Sequence, residues 1–81
     1  MEEVRAFLDA TPETQLAVID VSFGGATPCI RIFPAVLALA KNFQGYASFA
    51  RLLADKMPGD FQSELASMGI LEVPTFLFFR G

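Results

Sequence analysis

Residues 15–29 read QLAVIDVSFGGATPC, and this stretch decides the fold. Gln15–Phe23 is a nearly continuous apolar run, rich in β-branched residues, in which Asp20 is the single carboxylate; this pattern predicts a strand covered on both faces. The segment Gly24–Thr27 interrupts the run, and Pro28 suits the first turn of a helix, where a missing N–H breaks no hydrogen bond. We therefore expect a central strand, a short loop and a helix.

The main helix is expected from Cys29 to Phe43, where apolar residues recur at helical spacing. One row should face inward, with two apolar neighbours beside it: Ile30, Phe33, Leu37 and Ala40, then Val36 and Phe43. Pro34 lies inside the helix and removes one backbone hydrogen bond, so we expect a kink near residues 30–33. Gln44-Gly45 ends the helix.

Three further elements lie at the two ends and in the middle of the chain. Glu2–Ala10 has the spacing of a short amphipathic helix. Tyr46–Leu53 (YASFARLL) favours a second strand, although the same segment is compatible with a helix. Val73–Phe79 is a β-rich run and predicts the last strand.

A short third helix is expected between the last two strands. Pro58-Gly59 turns the chain, Asp60 is predicted to cap the helix, and Gly69 closes it. Its inward positions should be Phe61, Leu65 and Met68.

The alternation of helices and strands predicts a mainly parallel α/β sheet. Phe76–Phe79 at an open sheet edge would template aggregation. We therefore expect a further strand and helix after Gly81 in a longer parent chain, or a partner that covers this edge.

Composition excludes several kinds of chemistry. The chain has 81 residues, no histidine and one cysteine, so an internal disulfide, a Cys/His zinc site and a Ser-His or Cys-His dyad are impossible. We expect no metal. The net charge is −3 and the six basic residues are spread singly along the chain, so we expect no nucleic-acid partner.

No segment has the pattern of a membrane span or a targeting signal. The longest uncharged stretches, Val21–Ile30 and Ile32–Ala40, are shorter than the ~20 apolar residues that cross a bilayer. The N-terminus lacks a basic region. The sequence thus predicts a soluble protein without a membrane partner, and its lone cysteine suits a reducing compartment such as the cytoplasm.

At this point the sequence resembles the thioredoxin superfamily. Members have a central strand with a buried Asp, a Trp-Cys-Gly-Pro-Cys loop, a helix with a proline five residues after the second cysteine, and an Ile-Pro-Thr before an apolar strand. Asp20, Gly25–Cys29, Pro34 and Val73-Pro74-Thr75 stand at these places. The resemblance extends from about Val4 to Gly81.

The resemblance implies a thioredoxin-like, three-layer α/β/α fold, with residues 1–81 forming a single domain that is incomplete after the strand following a cis-proline. Leu71–Phe78 (LEVPTFLF) is similar to the thioredoxin modules of the chloroplast drought-induced stress protein family, which has two such modules, one of them without the first cysteine. This likeness implies a location in the chloroplast stroma.

One departure from the family pattern decides the expected chemistry. Disulfide exchange needs an exposed thiolate that attacks and a second thiol that resolves the mixed disulfide. Ala26 stands at the attacking position, and Cys29 at the more buried, resolving one. The resemblance therefore implies no dithiol reductase activity and no cofactor.

Cys29 and Asp20 are the candidate catalytic residues, each with a structural alternative. Cys29 is either a buried, slowly reacting thiol or a monothiol that exchanges with glutathione or a target cysteine. Asp20 is either a structural acid or a proton relay, with Lys41 and Lys56 as candidate partners.

The candidate binding residues are Gly25, Ala26, Thr27, Pro28, Val73 and Pro74. By resemblance the Val73–Pro74 bond is cis. The Val73 N–H and C=O are then free to pair with an extended peptide, or the turn serves only as a rigid start of the last strand. Three functions remain open: a module that binds a protein partner or supports a second thioredoxin module, a monothiol oxidoreductase acting through Cys29, and a domain whose only property is its fold.

Overall fold

The computed structural model describes residues 2–80 and confirms all six predicted elements. In chain order they are α1 (Glu2–Ala10), β1 (Leu16–Ser22), α2 (Thr27–Asn42), β2 (Ala47–Leu53), α3 (Gly59–Ser67) and β3 (Thr75–Arg80). One element was not predicted, a single 3₁₀ turn over Ala54–Lys56 that follows β2 directly.

The sheet has the order β2-β1-β3, so β1 is central as predicted. β1 and β2 are parallel, but β1 and β3 are antiparallel, and the prediction of a mainly parallel sheet is therefore wrong for β3. The connections end at different places. α2 returns the chain to the Leu16 end of β1, where Ala47 begins β2. The connection through α3 stays at the other end: β2 leaves the sheet at Leu53 beside Ser22, and β3 enters it at Thr75 beside Val21.

One face of the sheet holds the closed hydrophobic core. Ile19 and Val21 of β1 are almost completely buried and pack with Phe61 and Leu65 of α3. Residues of α1 and β3 complete this cluster: Val4, Phe7, Leu8, Leu77 and Phe79. Successive side chains of a strand point to opposite faces of the sheet. The strand residues of this cluster therefore lie on one face, and their neighbours in the strand lie on the other face, which α2 covers.

The buried residues of α2 differ in part from those that the helical spacing predicted. Cys29 and Val36 are its buried residues, whereas Ile30 and Leu37 are 53% and 52% exposed. The prediction is therefore wrong for Ile30, Leu37 and Phe43, which is 49% exposed, and right for Val36. Phe33 and Ala40 are half-buried. The buried positions i and i+7 begin at Cys29, one residue before Ile30. Pro34 lies inside an uninterrupted helix.

The ends of α3 also differ from expectation. Pro58 is the N-cap, without a side-chain hydrogen bond, and Asp60 lies inside the first turn, so its predicted capping role is wrong. The backbone is already helical at Gly59, which moves the cap two residues back. Met68 is 51% exposed rather than inward. Gly69 has a φ of 83° and ends the helix as predicted.

Candidate functional site

The predicted binding segments meet at one end of the sheet. β1 ends at Ser22 and α2 begins at Thr27, so the connecting loop lies at the carboxyl end of the central strand. β3 begins at Thr75, which is paired with Val21 near that same end. The topology therefore brings the Gly24–Cys29 loop and the Val73-Pro74 turn to one edge of the molecule.

The loop is a tight turn that leads directly into α2. The Ala26 N–H donates to the Phe23 carbonyl at 3.2 Å, and the Ile30 N–H donates to the Ala26 carbonyl at 3.0 Å. Ala26 is the N-cap of α2 and provides no side-chain cap, since it has no polar atom. Thr27 and Pro28 are exposed and Ala26 is half-buried.

A carboxylate from outside the predicted site holds the start of this loop. The Gly24 N–H donates to Asp55 Oδ1 at 3.1 Å, and Asp55 belongs to the 3₁₀ turn that follows β2. Sequence reasoning missed Asp55 because nothing in the pattern predicted that turn. The bond fixes the loop relative to the end of β2.

Cys29 lies in the first turn of α2 and has no exposed surface. Its thiol therefore faces the interior between α2 and the sheet rather than the open rim of the loop. An attacking thiol must be accessible to its disulfide partner. The position that is accessible, at the beginning of α2, is occupied by Ala26 and Thr27, neither of which has sulfur.

Asp20 is 1% exposed and lies on the α2 face of the sheet, two residues before the end of β1. Its Oδ1 accepts a hydrogen bond of 2.5 Å from the Ser22 hydroxyl. Its Oδ2 lies 3.9 Å from Arg51 Nε, and within residues 2–80 neither of these two buried atoms has a hydrogen-bond partner. The carboxylate thus has one short hydrogen bond and one longer ionic contact.

Arg51 is the cation that faces Asp20, not Lys41 or Lys56, which are both exposed. The parallel register of β1 and β2 sets Arg51 directly beside Asp20. Its guanidinium carbon also lies 4.0 Å from the centre of the Phe33 ring, a cation–π distance that connects β2 with α2. The signal in the sequence was a lone basic residue inside a predicted strand adjacent to the strand of Asp20.

The Val73–Pro74 peptide bond is cis. Both residues are half-buried, and among residues 2–80 no backbone hydrogen bond engages the Val73 N–H or carbonyl. A cavity of about 230 Å³ adjoins the turn, and Phe23, Leu65 and Ile70 contribute to its walls together with Val73. The rest of its lining belongs to α3 and to the segment before the turn (Gln62, Ala66, Leu71 and Glu72), so the cavity lies on the α3 side of the turn.

The described residues contain neither a cluster of metal ligands nor a membrane-spanning helix. Within residues 2–80, no group of three or more Cys, Asp or Glu side chains is placed to hold a metal ion. No helix in that part of the chain has both the length and the apolar character that crossing a membrane requires.

Comparison with solved structures identifies the fold. The thioredoxin of Fasciola hepatica superposes with a TM-score of 0.78 and 25% identity, over 98% of this chain and 70% of that one. The chain belongs to the thioredoxin superfamily. The germline-specific thioredoxin Deadhead of Drosophila melanogaster shares this thioredoxin fold, with a TM-score of 0.72 and 23% identity over 98% of this chain and 67% of that one.

A curated relative supports the narrower likeness to plastid thioredoxin modules. The chloroplastic thioredoxin-like protein CDSP32 of Arabidopsis thaliana is 36% identical over 66 residues, which are 82% of this chain and 22% of the relative. The chain therefore spans about a fifth of the length of the thioredoxin-like protein it matches. No protein-family model matches it. The roles of Cys29, Asp20 and the six binding residues stay predictions.

Proposed function

We propose that this chain is a thioredoxin-like module that binds a protein partner and performs no dithiol exchange. The observation that carries the proposal is the complete burial of Cys29 behind an N-cap occupied by Ala26. Thiol–disulfide exchange requires a thiolate that can reach the disulfide sulfur in line. With its single sulfur atom buried, this thioredoxin site retains a surface on which a peptide can bind but lacks the thiolate that attacks a disulfide.

The proposed partner contacts the Gly24–Cys29 loop and the Val73-Pro74 turn. Gly25, Thr27 and Pro28 are exposed there, and the Val73 backbone groups are open to an extended peptide. The cavity beside the turn, of about 230 Å³, has room for a side chain of that peptide. A second thioredoxin module is one such partner, since the chain matches only part of a longer thioredoxin-like relative.

Restoring the missing sulfur tests the chemical half of the proposal. The chain should not accelerate insulin reduction by dithiothreitol, whereas Ala26→Cys should gain activity because it places two thiols at the spacing of a redox loop. The double variant Ala26→Cys/Cys29→Ser is the matched control and should lack turnover. Robust turnover by the unmodified chain that disappears with Cys29→Ser would contradict the proposal and establish a monothiol enzyme.

A pair of matched substitutions tests the binding half. The immobilised chain should retain a specific protein from chloroplast stroma, and Thr27→Arg should weaken that retention at least tenfold because the new side chain occupies the exposed loop. Thr14→Arg introduces the same side chain at an exposed position just before β1, at the opposite end of the sheet, and should leave retention unchanged. Equal retention by both variants would exclude this end of the sheet as the contact surface.

We also propose the chloroplast stroma as the place of action, from the likeness to a chloroplastic relative. An antibody against the chain should detect it in the stromal fraction of isolated chloroplasts. Detection in the cytosolic fraction alone would contradict this assignment.

A further inference from the structure

The cavity beside the Val73-Pro74 turn has the size of one long side chain. Its volume of about 230 Å³ is smaller than the roughly 300–1,000 Å³ that is typical of sites for small-molecule ligands. The cavity also adjoins the open backbone of Val73, where the proposed peptide would lie. Its occupant is therefore expected to be a side chain of that peptide.

The walls of the cavity are fixed by contacts on the α3 side of the molecule. Leu65 of α3 is 5% exposed, and its carbonyl accepts a hydrogen bond of 3.0 Å from the Ile70 N–H. The Thr75 hydroxyl donates to the Glu72 carbonyl, which ties the backbone before the turn to the start of β3. Arg80 lies at the opposite end of β3. A strand added beside β3 would extend the sheet sideways, whereas this cavity lies on the face that α3 covers.

The lining combines apolar surface with a negative charge. Three large apolar side chains contribute to the walls: Phe23, Leu65 and Ile70. Glu72 adds a carboxylate and Gln62 adds an amide, and among the described residues no lysine or arginine contributes to the lining. Within residues 2–80 the one ion pair is that of Asp20 with Arg51, so no cation of this part of the chain pairs with Glu72.

We infer, on the basis of the proposed function, that this cavity binds a lysine or arginine side chain of the partner. The methylene stem of such a side chain can pack against apolar surface while its charged head stays in water. Glu72 is exposed, so its carboxylate can meet the charged head at the rim without either charge being buried. The charges of the head and of Glu72 are opposite, which favours this partner over others.

Other side chains fit the cavity less well. Aspartate or glutamate would set a second carboxylate beside Glu72, and like charges at an interface repel. Leucine or phenylalanine would fill the apolar part but would take the Glu72 carboxylate and the Gln62 amide partly out of water without providing a partner for either. The net charge of the chain, −3, also attracts a basic segment.

The place of the basic residue in the bound peptide follows from the order of Glu72 and Val73 in the chain. An extended peptide that pairs with the Val73 N–H and carbonyl lies beside Glu72 as well. Side chains directly opposite each other in paired strands are about 5 Å apart at Cβ. The lysine or arginine should therefore be next to the peptide residue that pairs with Val73.

A decapeptide library in which one central residue is fixed and the others are randomised tests this specificity. We expect the immobilised chain to retain Lys and Arg peptides at least about fivefold better than Glu or Leu peptides. Glu72→Lys should reverse the order of Lys and Glu peptides, because it replaces the attracting charge by a repelling one. Glu72 is exposed, so the variant should fold, which circular dichroism checks.

Glu64→Lys is the matched control for this charge change. Glu64 is an exposed acid of α3 that lines a different depression of the surface, together with Met57 and Asp60. Its substitution alters the net charge of the chain by the same amount and should leave the preference for Lys and Arg peptides unchanged. Equal loss of the preference in both variants would attribute it to the net charge and overturn the inference.

The inference and the proposed function fail in different ways in this experiment. Peptides that bind without any charge preference, and whose binding Thr27→Arg weakens, would overturn the inference and leave the proposed binding site intact. A preference for Leu peptides that Glu72→Lys does not change would also overturn it and would assign the cavity to an apolar side chain. If no peptide binds, the proposed function is contradicted and the inference falls with it.

Discussion

On the face of the sheet that α1 and α3 cover, Ile19 and Val21 pack against Phe61 and Leu65 in a closed apolar cluster. On the face that α2 covers, the same strand holds the buried carboxylate of Asp20, and Phe78 of the neighbouring strand β3 is 63% exposed. The two faces alternate residue by residue along β1. The closed apolar cluster thus lies on one face of the sheet, whereas the other face holds a buried carboxylate and partly exposed aromatic side chains. We expect the first face to contribute more to the unfolding free energy, because it buries more apolar surface.

Removing a side chain from the closed face should have the largest effect. Phe61 is 3% exposed, so Phe61→Ala deletes a buried ring and leaves a cavity. We expect a loss of about 3–5 kcal/mol of unfolding free energy, measured by urea denaturation. Stability of ~4–12 kcal/mol is typical at this chain length, so the variant should be close to unfolded. A loss below about 1 kcal/mol would show that this cluster does not hold the domain together.

The alkylation rate of Cys29 measures how effectively α2 shields the buried residues on its face of the sheet from solvent. Because the thiol is fully buried, iodoacetamide should react at least about 100-fold more slowly with the native chain than with the chain in urea, which corresponds to about 2.7 kcal/mol of opening free energy. A mass spectrometer follows the single adduct over time. Equal rates in the two states would mean that the thiol is accessible and would favour monothiol chemistry.

The ion pair on the α2 face should contribute less than the ring on the other face. Arg51→Met keeps the length of the side chain but leaves the Asp20 carboxylate without its cation, and we expect a loss of about 1–3 kcal/mol. Asp20→Asn in the same chain removes the buried charge and should recover most of that loss. The two single variants and the double variant form a thermodynamic cycle, and additive losses would show that the pair is not coupled.

The smallest effect is expected at the exposed aromatic side chain on the α2 face. Phe78 is 63% exposed, so Phe78→Ala should change the unfolding free energy by about 0.5 kcal/mol or less. Thermal unfolding followed by circular dichroism is sufficient. A loss comparable to that of Phe61→Ala would mean that the two faces are equally important for folding.

Local sequence patterns were sufficient to predict the helices and strands of the fold but not the direction of every strand. The apolar run of β1 and the helical spacing of α1 and α2 are properties of neighbouring residues, and their bounds were predicted to within two residues. The direction of β3 depends on the end of the sheet at which the chain re-enters after α3, which the apolar pattern does not report. Ile30 and Leu37 of α2 were wrongly placed inward because they have the same spacing as the buried Cys29 and Val36.

The parts of the candidate site that are formed by contiguous residues were predictable from the sequence, whereas the contacts between residues far apart in the chain were not. The loop before α2 and the turn before β3 are contiguous segments that sequence patterns can mark. Arg51 beside Asp20 and Asp55 beside Gly24 are contacts between residues 31 positions apart, and they depend on strand register and on a 3₁₀ turn. Neither is encoded in local spacing.

The enclosed position of the only thiol has a practical consequence for solution studies. A second cysteine introduced on the surface would be the one sulfur that a dye or nitroxide reaches under native conditions, so spectroscopic labels can be attached selectively without first removing Cys29.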